Sequence, residues 1–204
     1  PVDAAALAEA PETGTGGLGL DLVRRVAAEA LGTALLVMAV VGSGIMASRL
    51  STGDVGLQLL ENAAATAAAL IGLILMFGEI SGAHFNPAVT LLDRLLGSIP
   101  TRDAGLYVIG QVAGGAAGTV LANLMFALPA VTVSHHVRSS GALWLSKVVA
   151  TVTLLLLIQS CVRTGRTAVV PFAVGIWIGG AYWFTSSTSF ANPAVTLART
   201  LSDR

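Results

Sequence analysis

The chain has 204 residues, of which 54% are hydrophobic and 11% are charged, and its formal net charge is +0. No ordinary soluble domain is this apolar, so the composition predicts a polytopic membrane protein and argues against nucleic acid as a partner. The single cysteine, Cys161, cannot form an internal disulfide, and no metal-ligand spacing surrounds it. We therefore expect neither a metal nor a cofactor.

The N-terminal segment, residues 1–21, has no apolar period and is interpreted as a flexible cytoplasmic tail. Arg24 and Arg25 then precede an apolar stretch over 26–47. That stretch is too long for a cleaved signal peptide, so it is predicted to be the first membrane span. A channel domain is predicted to occupy 22–204.

Further apolar stretches follow, and they differ in length. Two short runs, over 87–96 and 193–201, contrast with runs long enough to cross a bilayer, over 57–80, 104–128, 143–162 and 167–184. Crossing takes about 20 apolar residues, so the short runs are predicted to enter the membrane part-way and stop. Irregular backbone at that depth is tolerated only where it is buried in protein or lines a water-filled cavity.

Arginines in the loops favour a cytoplasmic N-terminus under the positive-inside rule. On this topology the inside loops carry Arg24, Arg25, Arg94, Arg102, Arg163 and Arg166. The outside loops carry Arg49, Arg138, Arg199 and Arg204. We expect a multi-pass protein of the plasma (inner) membrane.

Both short runs open with the same string, Asn-Pro-Ala-Val-Thr, over 86–90 and 192–196. Asn is a strong helix N-cap and Pro is favoured at the first helical position, so each string predicts a helix start. The Asn oxygen would cap the first turn and leave the amide NH₂ to face a lumen, while the small Ala lets the two starts abut. The predicted pore residues are Asn86, Pro87, Ala88, Asn192, Pro193 and Ala194.

The duplication itself carries most of the functional prediction. One Asn-Pro would be interpreted as a turn in a loop, but two copies with an identical tail favour an inverted repeat whose half-helices meet at the membrane midplane. Two helix N-termini at one pore centre place partial positive charge there. That charge opposes cations and protons.

These motifs resemble those of the aquaporin and aquaglyceroporin (major intrinsic protein) family. The similarity rests on the strings over 28–33 and 81–90, on Tyr107 and Gln111, and on the second Asn-Pro-Ala. The resemblance implies an all-α membrane protein with six spans and two re-entrant half-helices. It also implies a homotetramer with one pore per subunit, and passive conduction of small neutral solutes.

The sequence contains no sixth span after the second short run. The first repeat is predicted over 22–128 and an incomplete second repeat over 142–204. We expect the chain to be a fragment of a longer channel. The alternative is a truncated, non-conducting protein that only assembles with full-length subunits.

Carried over by position, the family's four-residue selectivity filter becomes Thr66, Gly180, Ser189 and Val195. Most members have Arg at the last position, where it fills volume, repels cations and offers a fork of donors. Val offers none of these, so a wide, uncharged ring is expected. A branch associated with bacterial arsenic resistance resembles this pattern, which implies arsenite, methylated metalloids and glycerol-like polyols, with water, as solutes.

Ionisable residues at membrane depth are functional candidates by default. Glu29, Glu79 and His84 are predicted to support the first re-entrant loop rather than to touch solute. Lys147 stands where the family usually has Glu, and either it snorkels to the interface or it weakens the second loop. No nucleophile–base or metal constellation surrounds Glu29, Glu79 or Cys161, so we predict no catalytic residue and no enzyme.

Overall fold

The structure is a computed structural model that describes residues 19–135, 139–188 and 190–203. In this part of the chain the regular secondary structure is helical and contains no strand, which confirms the all-α prediction. In chain order the helices are α1 (Leu20–Leu50), α2 (Val55–Ser81), α3 (Pro87–Leu95), α4 (Thr101–Met125), α5 (Gly141–Arg163), α6 (Val170–Phe184) and α7 (Pro193–Ala198). Short 3₁₀ turns precede α6 (Thr167–Val169) and follow α7 (Arg199–Leu201).

Helix length separates the spans from the half-helices. Within the described residues, 5 helical segments are long and apolar enough to cross a membrane: α1, α2, α4, α5, and α6 with its preceding turn. In contrast, α3 has 9 residues and α7 has 6. At about 1.5 Å per residue, neither reaches half-way through a hydrocarbon core of about 30 Å. Both short runs are therefore half-helices, as predicted.

The first helix begins at Leu20, six residues before the apolar stretch that predicted it. Asp21 in the first turn accepts from Arg24 and Arg25, at 3.3 and 2.9 Å, and such pairs extend a helix into the interface. Arg25 also donates to Asp103 on α4 at 2.8 Å. The last two residues of the predicted 1–21 tail are thus helical, and residues 1–18 lie outside the described part of the chain.

Close backbone contact between α1 and α4 depends on glycine. A Cβ at Gly114 or Gly118 would overlap the backbone carbonyls of Ala30 and Ala34 on α1. Glycine at these positions lets the helix backbones approach closely, as small-residue stripes do in membrane proteins. The result is a firm α1–α4 pair that supports both half-helices.

The two half-helices run to opposite ends of α4. At the end of α3, Arg94 donates to Thr101 at the start of α4 (2.6 Å). At the end of α7, the Ala198 carbonyl accepts from Thr119, near the other end of α4 (3.1 Å). The C-terminal ends of α3 and α7 thus lie at opposite ends of α4. Their N-terminal ends therefore lie between these two ends of α4.

Candidate functional site

The first half-helix is capped by the residue that the motif predicts. Asn86 has extended backbone, and its Oδ1 accepts from the backbone N–H of Ala88 at 2.9 Å. Pro87 follows at the first helical position, where its missing N–H leaves nothing unsatisfied. The local sequence alone therefore starts this helix.

The second half-helix repeats this geometry. Asn192 is extended, and its Oδ1 accepts from the backbone N–H groups of Ala194 and Val195 at 3.0 and 3.3 Å. Pro193 again occupies the first turn. Two segments 106 residues apart in the sequence thus form the same capped start.

The two caps are cross-linked reciprocally. Asn86 Nδ2 donates to the carbonyl of Ala191 at 2.9 Å, and Asn192 Nδ2 donates to the carbonyl of Phe85 at 2.7 Å. Each acceptor belongs to the residue just before the opposite asparagine. One N–H of each amide is used in this way, so only the second N–H can face a solute. The prediction that the whole NH₂ of each asparagine faces a lumen is therefore corrected.

Both asparagines line a cavity of about 720 Å³. The cavity extends from Asp93, near the end of α3, to Thr66 and Tyr182 at the level beyond the caps. Much of the remaining wall is apolar and comes from α1, α2, α5 and α6. These helices contribute Leu36, Leu70, Leu154, Val174 and Ile178. One polar edge thus faces a hydrophobic wall.

Glu29 holds the loop that leads to Asn86. Its carboxylate is fully buried and accepts from the hydroxyl of Ser81 (2.6 Å), the backbone N–H groups of His84 (3.0 Å) and Phe85 (2.7 Å), and Nε2 of Gln111 (2.8 Å). A carboxylate has about four acceptor sites, so this group is saturated. It acts on the loop and not on the cavity.

The loop needs such support because its backbone is strained. Ala83 and Phe85 both have φ of 48°, a region that non-glycine residues rarely adopt. The backbone N–H groups that Glu29 binds are those of Phe85 itself and of His84, which lies between the two. The buried carboxylate therefore fixes the conformation that brings Asn86 to the cavity.

His84 connects this loop to α3. Its Nδ1 lies 3.1 Å from Thr90 Oγ1, and its Nε2 lies 3.0 Å from Asp93 Oδ2. Gln111 also donates to Thr90 Oγ1 at 2.9 Å, so α4 joins the same network. In the residues that the structure describes, no group of three His, Cys, Asp or Glu side chains is placed to hold a metal ion.

Glu79 does not occupy the supporting position predicted for it. Its side chain is exposed near the end of α2, and it makes no hydrogen bond within the described part of the chain. The reason is helical phase, because Phe77 and Ser81 face the interior and residue 79 points to the opposite side. Glu79 instead lies at the cavity wall, and the carboxylate that binds the loop backbone is that of Glu29.

The structure also changes the predicted filter. Thr66 and Val195 line the cavity, but Gly180 is exposed, and within 4 Å a Cβ there would meet only Phe184. In its place the hydroxyl of Tyr182 lies 3.1 Å from Thr66 Oγ1. Ser189 lies outside the described residues. The apolar and aromatic series at 174, 178 and 182, spaced by four, is the signal that could have identified Tyr182.

Lys147 lies in the N-terminal turns of α5. Its Nζ is 4.7 Å from the centre of the Trp144 ring, within cation–π range. Trp144 itself is exposed, and Trp is enriched at membrane interfaces. This placement favours the interfacial interpretation of Lys147.

Comparisons with known proteins identify the family of the chain. The model of the major intrinsic protein family matches residues 19–204. The chain is 55% identical over 183 residues to the aquaglyceroporin AqpS of Rhizobium meliloti (strain 1021), covering 90% of this chain and 78% of that protein. It is 36% identical over 104 residues to the probable aquaporin NIP7-1 of Arabidopsis thaliana, covering 51% and 37% respectively.

A solved structure shares the fold. The X-ray structure of the aquaglyceroporin from Plasmodium falciparum superposes with a TM-score of 0.72 at 25% identity, and the match covers 87% of this chain and 79% of that one. The chain thus belongs to the major intrinsic protein family, whose aquaporins and aquaglyceroporins are membrane channels for small neutral solutes and not enzymes.

Proposed function

We propose that the chain forms the conducting pore of an aquaglyceroporin-type channel that is permissive toward hydroxylated solutes. The proposed solutes are glycerol-like polyols, arsenite, methylated metalloids and water. The observation that carries the proposal is the pair of cross-linked asparagine caps at the edge of one cavity, beside a filter position occupied by Val195.

The wall of the cavity suits a neutral solute with several hydroxyls. The second N–H of each asparagine amide donates to a solute oxygen, while the facing Leu70, Val174 and Ile178 side chains offer that solute no competing hydrogen bond. The first-turn N–H groups of the half-helices add partial positive charge at the same level. A solute oxygen is thereby oriented, and a cation is repelled.

We expect a constriction without an arginine to be wide, since the side chain at that position is short. Thr66 and Tyr182 share a hydrogen bond, and Val195 contributes only a short apolar side chain. Arsenous acid, which is neutral with three hydroxyls, resembles a small polyol in size and hydrogen bonding. The AqpS relative is named an aquaglyceroporin, which supports glycerol as the first solute to test.

The remaining proposals concern assembly and membrane. The arginine distribution supports a cytoplasmic N-terminus in the plasma (inner) membrane. The family resemblance supports a homotetramer with one pore per subunit. Within the chain we propose a channel domain over 22–204, with a first repeat over 22–128 and a second over 142–204.

Solute flux through purified protein in liposomes tests the proposed function. We expect glycerol to re-swell shrunken proteoliposomes faster than protein-free liposomes, and arsenous acid to accumulate faster in proteoliposomes. Val195→Arg should reduce both fluxes, because a guanidinium fills the constriction. Val195→Leu is the matched control, since it adds volume without charge or donors, and its glycerol flux should fall much less.

Two results would contradict the proposal. Glycerol permeability at the lipid background would favour the non-conducting alternative. Unchanged glycerol and arsenous acid fluxes in a folded Val195→Arg protein would remove Val195 from the constriction.

A further inference from the structure

We propose that the Asp93 carboxylate forms an inner binding station for hydroxylated solutes, at the end of the cavity opposite Thr66 and Tyr182. The inference rests on the proposed channel function and adds a specificity-determining residue to it. The asparagine amides present hydrogen-bond donors to a solute, and Asp93 presents acceptors further along the same path. A solute hydroxyl, which both donates and accepts, meets the two kinds of group in turn.

The position of Asp93 follows from the pitch of the first half-helix. Asn86 caps α3, and Asp93 lies seven residues later, which is about two turns and about 10.5 Å along the helix axis. Val89 lies between them, and all three residues line the cavity. One face of α3 thus presents an amide at its start and a carboxylate near its end.

The end of α3 faces the cytoplasm on the proposed topology. The segment that joins α3 to α4 carries Arg94 and Arg102, which the positive-inside rule assigns to that side. Ser98 in the same segment is exposed and also lines the cavity, and its backbone N–H donates to Asp93 O at 2.8 Å. The cavity therefore opens toward the cytoplasm beside Asp93.

Two side chains fix the Asp93 carboxylate. Its Oδ2 lies 3.0 Å from His84 Nε2, and its Oδ1 accepts from Nε2 of Gln159 on α5 at 3.4 Å. An ionised carboxylate only accepts, so His84 Nε2 carries a proton, and in the neutral ring Nδ1 accepts from the hydroxyl of Thr90. The His84 side chain is 7% exposed, so the carboxylate is held by a group that is itself packed in the interior.

The carboxylate keeps acceptor capacity for a solute. A carboxylate has about four acceptor sites, and within the described part of the chain His84 and Gln159 use two of them. The Asp93 side chain is 24% exposed and lines the cavity, so the remaining sites are accessible from it. Glu79 also lies at the cavity wall, but it is exposed and no described hydrogen bond orients it, so Asp93 is the fixed acceptor.

Helix stability does not account for a carboxylate at this position. Asp93 lies in the last turn of α3, where the negative end of the helix dipole disfavours an anion. Ile158 and Val162, which line the cavity from α5, are apolar and offer a solute no acceptor. Asp93 therefore supplies a hydrogen-bonding group that these neighbours lack.

Neutral polyols and arsenous acid match this arrangement, because each has hydroxyl donors. Two helical turns separate Asn86 from Asp93, a distance longer than glycerol, so one molecule contacts the two residues in succession. Such a sequence of weak sites lets a solute bind and still leave. A cation that Asp93 attracts is stopped at the half-helix starts, where partial positive charge lies.

Equilibrium exchange of labelled glycerol and osmotic water flux, measured on the same proteoliposomes, test the station. Asp93→Asn should raise the half-saturating glycerol concentration by about tenfold. The single amide oxygen remains with His84, so the solute loses a hydrogen bond to a charged group. The exchange rate at saturation and the water permeability should stay within about twofold of the parent's, since asparagine keeps the shape of the pore.

Three further variants make the result specific. Asp21→Asn makes the same chemical change on an exposed carboxylate at the start of α1, outside the cavity, and its half-saturating concentration should equal the parent's. Asp93→Glu keeps the charge and should retain most of the glycerol affinity. Asp93→Ala is a second neutral variant if Asp93→Asn does not accumulate in the membrane, and it should show the same rise.

The outcomes separate the two proposals. A parent without glycerol flux refutes the channel function and the station with it. In a conducting parent, glycerol exchange that does not saturate, or a half-saturating concentration unchanged in Asp93→Asn and Asp93→Ala, refutes the station alone. Water and glycerol rates that fall together in Asp93→Asn also refute it, because the carboxylate would then only support the pore structure. An equal rise in Asp21→Asn would reduce the effect to surface charge and refute the station as well.

Discussion

Replacing Glu29 by Gln should release the loop that positions Asn86. The carboxylate accepts four hydrogen bonds, but a glutamine has one acceptor oxygen and turns an NH₂ toward the remaining donors. About two buried bonds are lost, and each buried donor left unsatisfied costs about 1–3 kcal/mol. The expected loss is about 2–6 kcal/mol, a large part of the about 5–15 kcal/mol that stabilises a typical fold.

Thermal unfolding of the detergent-solubilised protein, together with glycerol flux, measures this loss. The Glu29→Gln protein should unfold at a clearly lower temperature and conduct glycerol more slowly, because the strained backbone at Phe85 is no longer held. Glu79→Gln makes the same chemical change on an exposed side chain, and its stability should change by less than about 0.5 kcal/mol. Parent-like unfolding and flux in Glu29→Gln would refute the bracing role.

Two other substitutions test the constriction and the helix packing. Tyr182→Phe removes the hydroxyl that pairs with Thr66, so it should cost about 1 kcal/mol and raise the permeability of a four-carbon polyol relative to glycerol. An unchanged permeability ratio would take Tyr182 out of the constriction. Gly114→Ala should destabilise the protein by about 1–3 kcal/mol, because the added methyl group would overlap the backbone of Ala30. Gly72→Ala is the control, since the space around Gly72 is open, and it should be neutral or stabilising by up to about 1 kcal/mol. Similar melting temperatures for both variants would contradict the close packing.

Most of the fold can be predicted from the sequence, because the length of an apolar stretch tells a membrane span from a half-helix. Apolar stretches over 57–80 and 143–162 predict α2 and α5 to within a few residues, since both ends of a span must meet water. The half-helices follow from local chemistry, as Asn followed by Pro fixes a helix start. The ends of the apolar stretches and the two Asn-Pro pairs thus lie within a few residues of the helix ends that they predict.

The parts that could not be predicted depend on contacts between distant segments or on helical phase. The bond from Asn86 Nδ2 to Ala191 O joins residues 105 apart, and no local pattern specifies it. Position relative to the two motifs predicts Gly180 for the filter. Two positions along a helix rotate a side chain by about 200°, so that prediction selects Gly180 where the fold presents Tyr182. The same rotation turns Glu79 away from the loop that it is predicted to support.

Glycerol permeability of Asn86→Ala, Asn192→Ala and the double variant is the most direct test of a single pore built on both caps. Since each amide holds the other's loop as well as its own helix, either substitution should reduce flux to near the lipid background. The double variant should lose little more, because the two residues act as a unit. A folded double variant that conducts glycerol at the parent's rate would contradict the account.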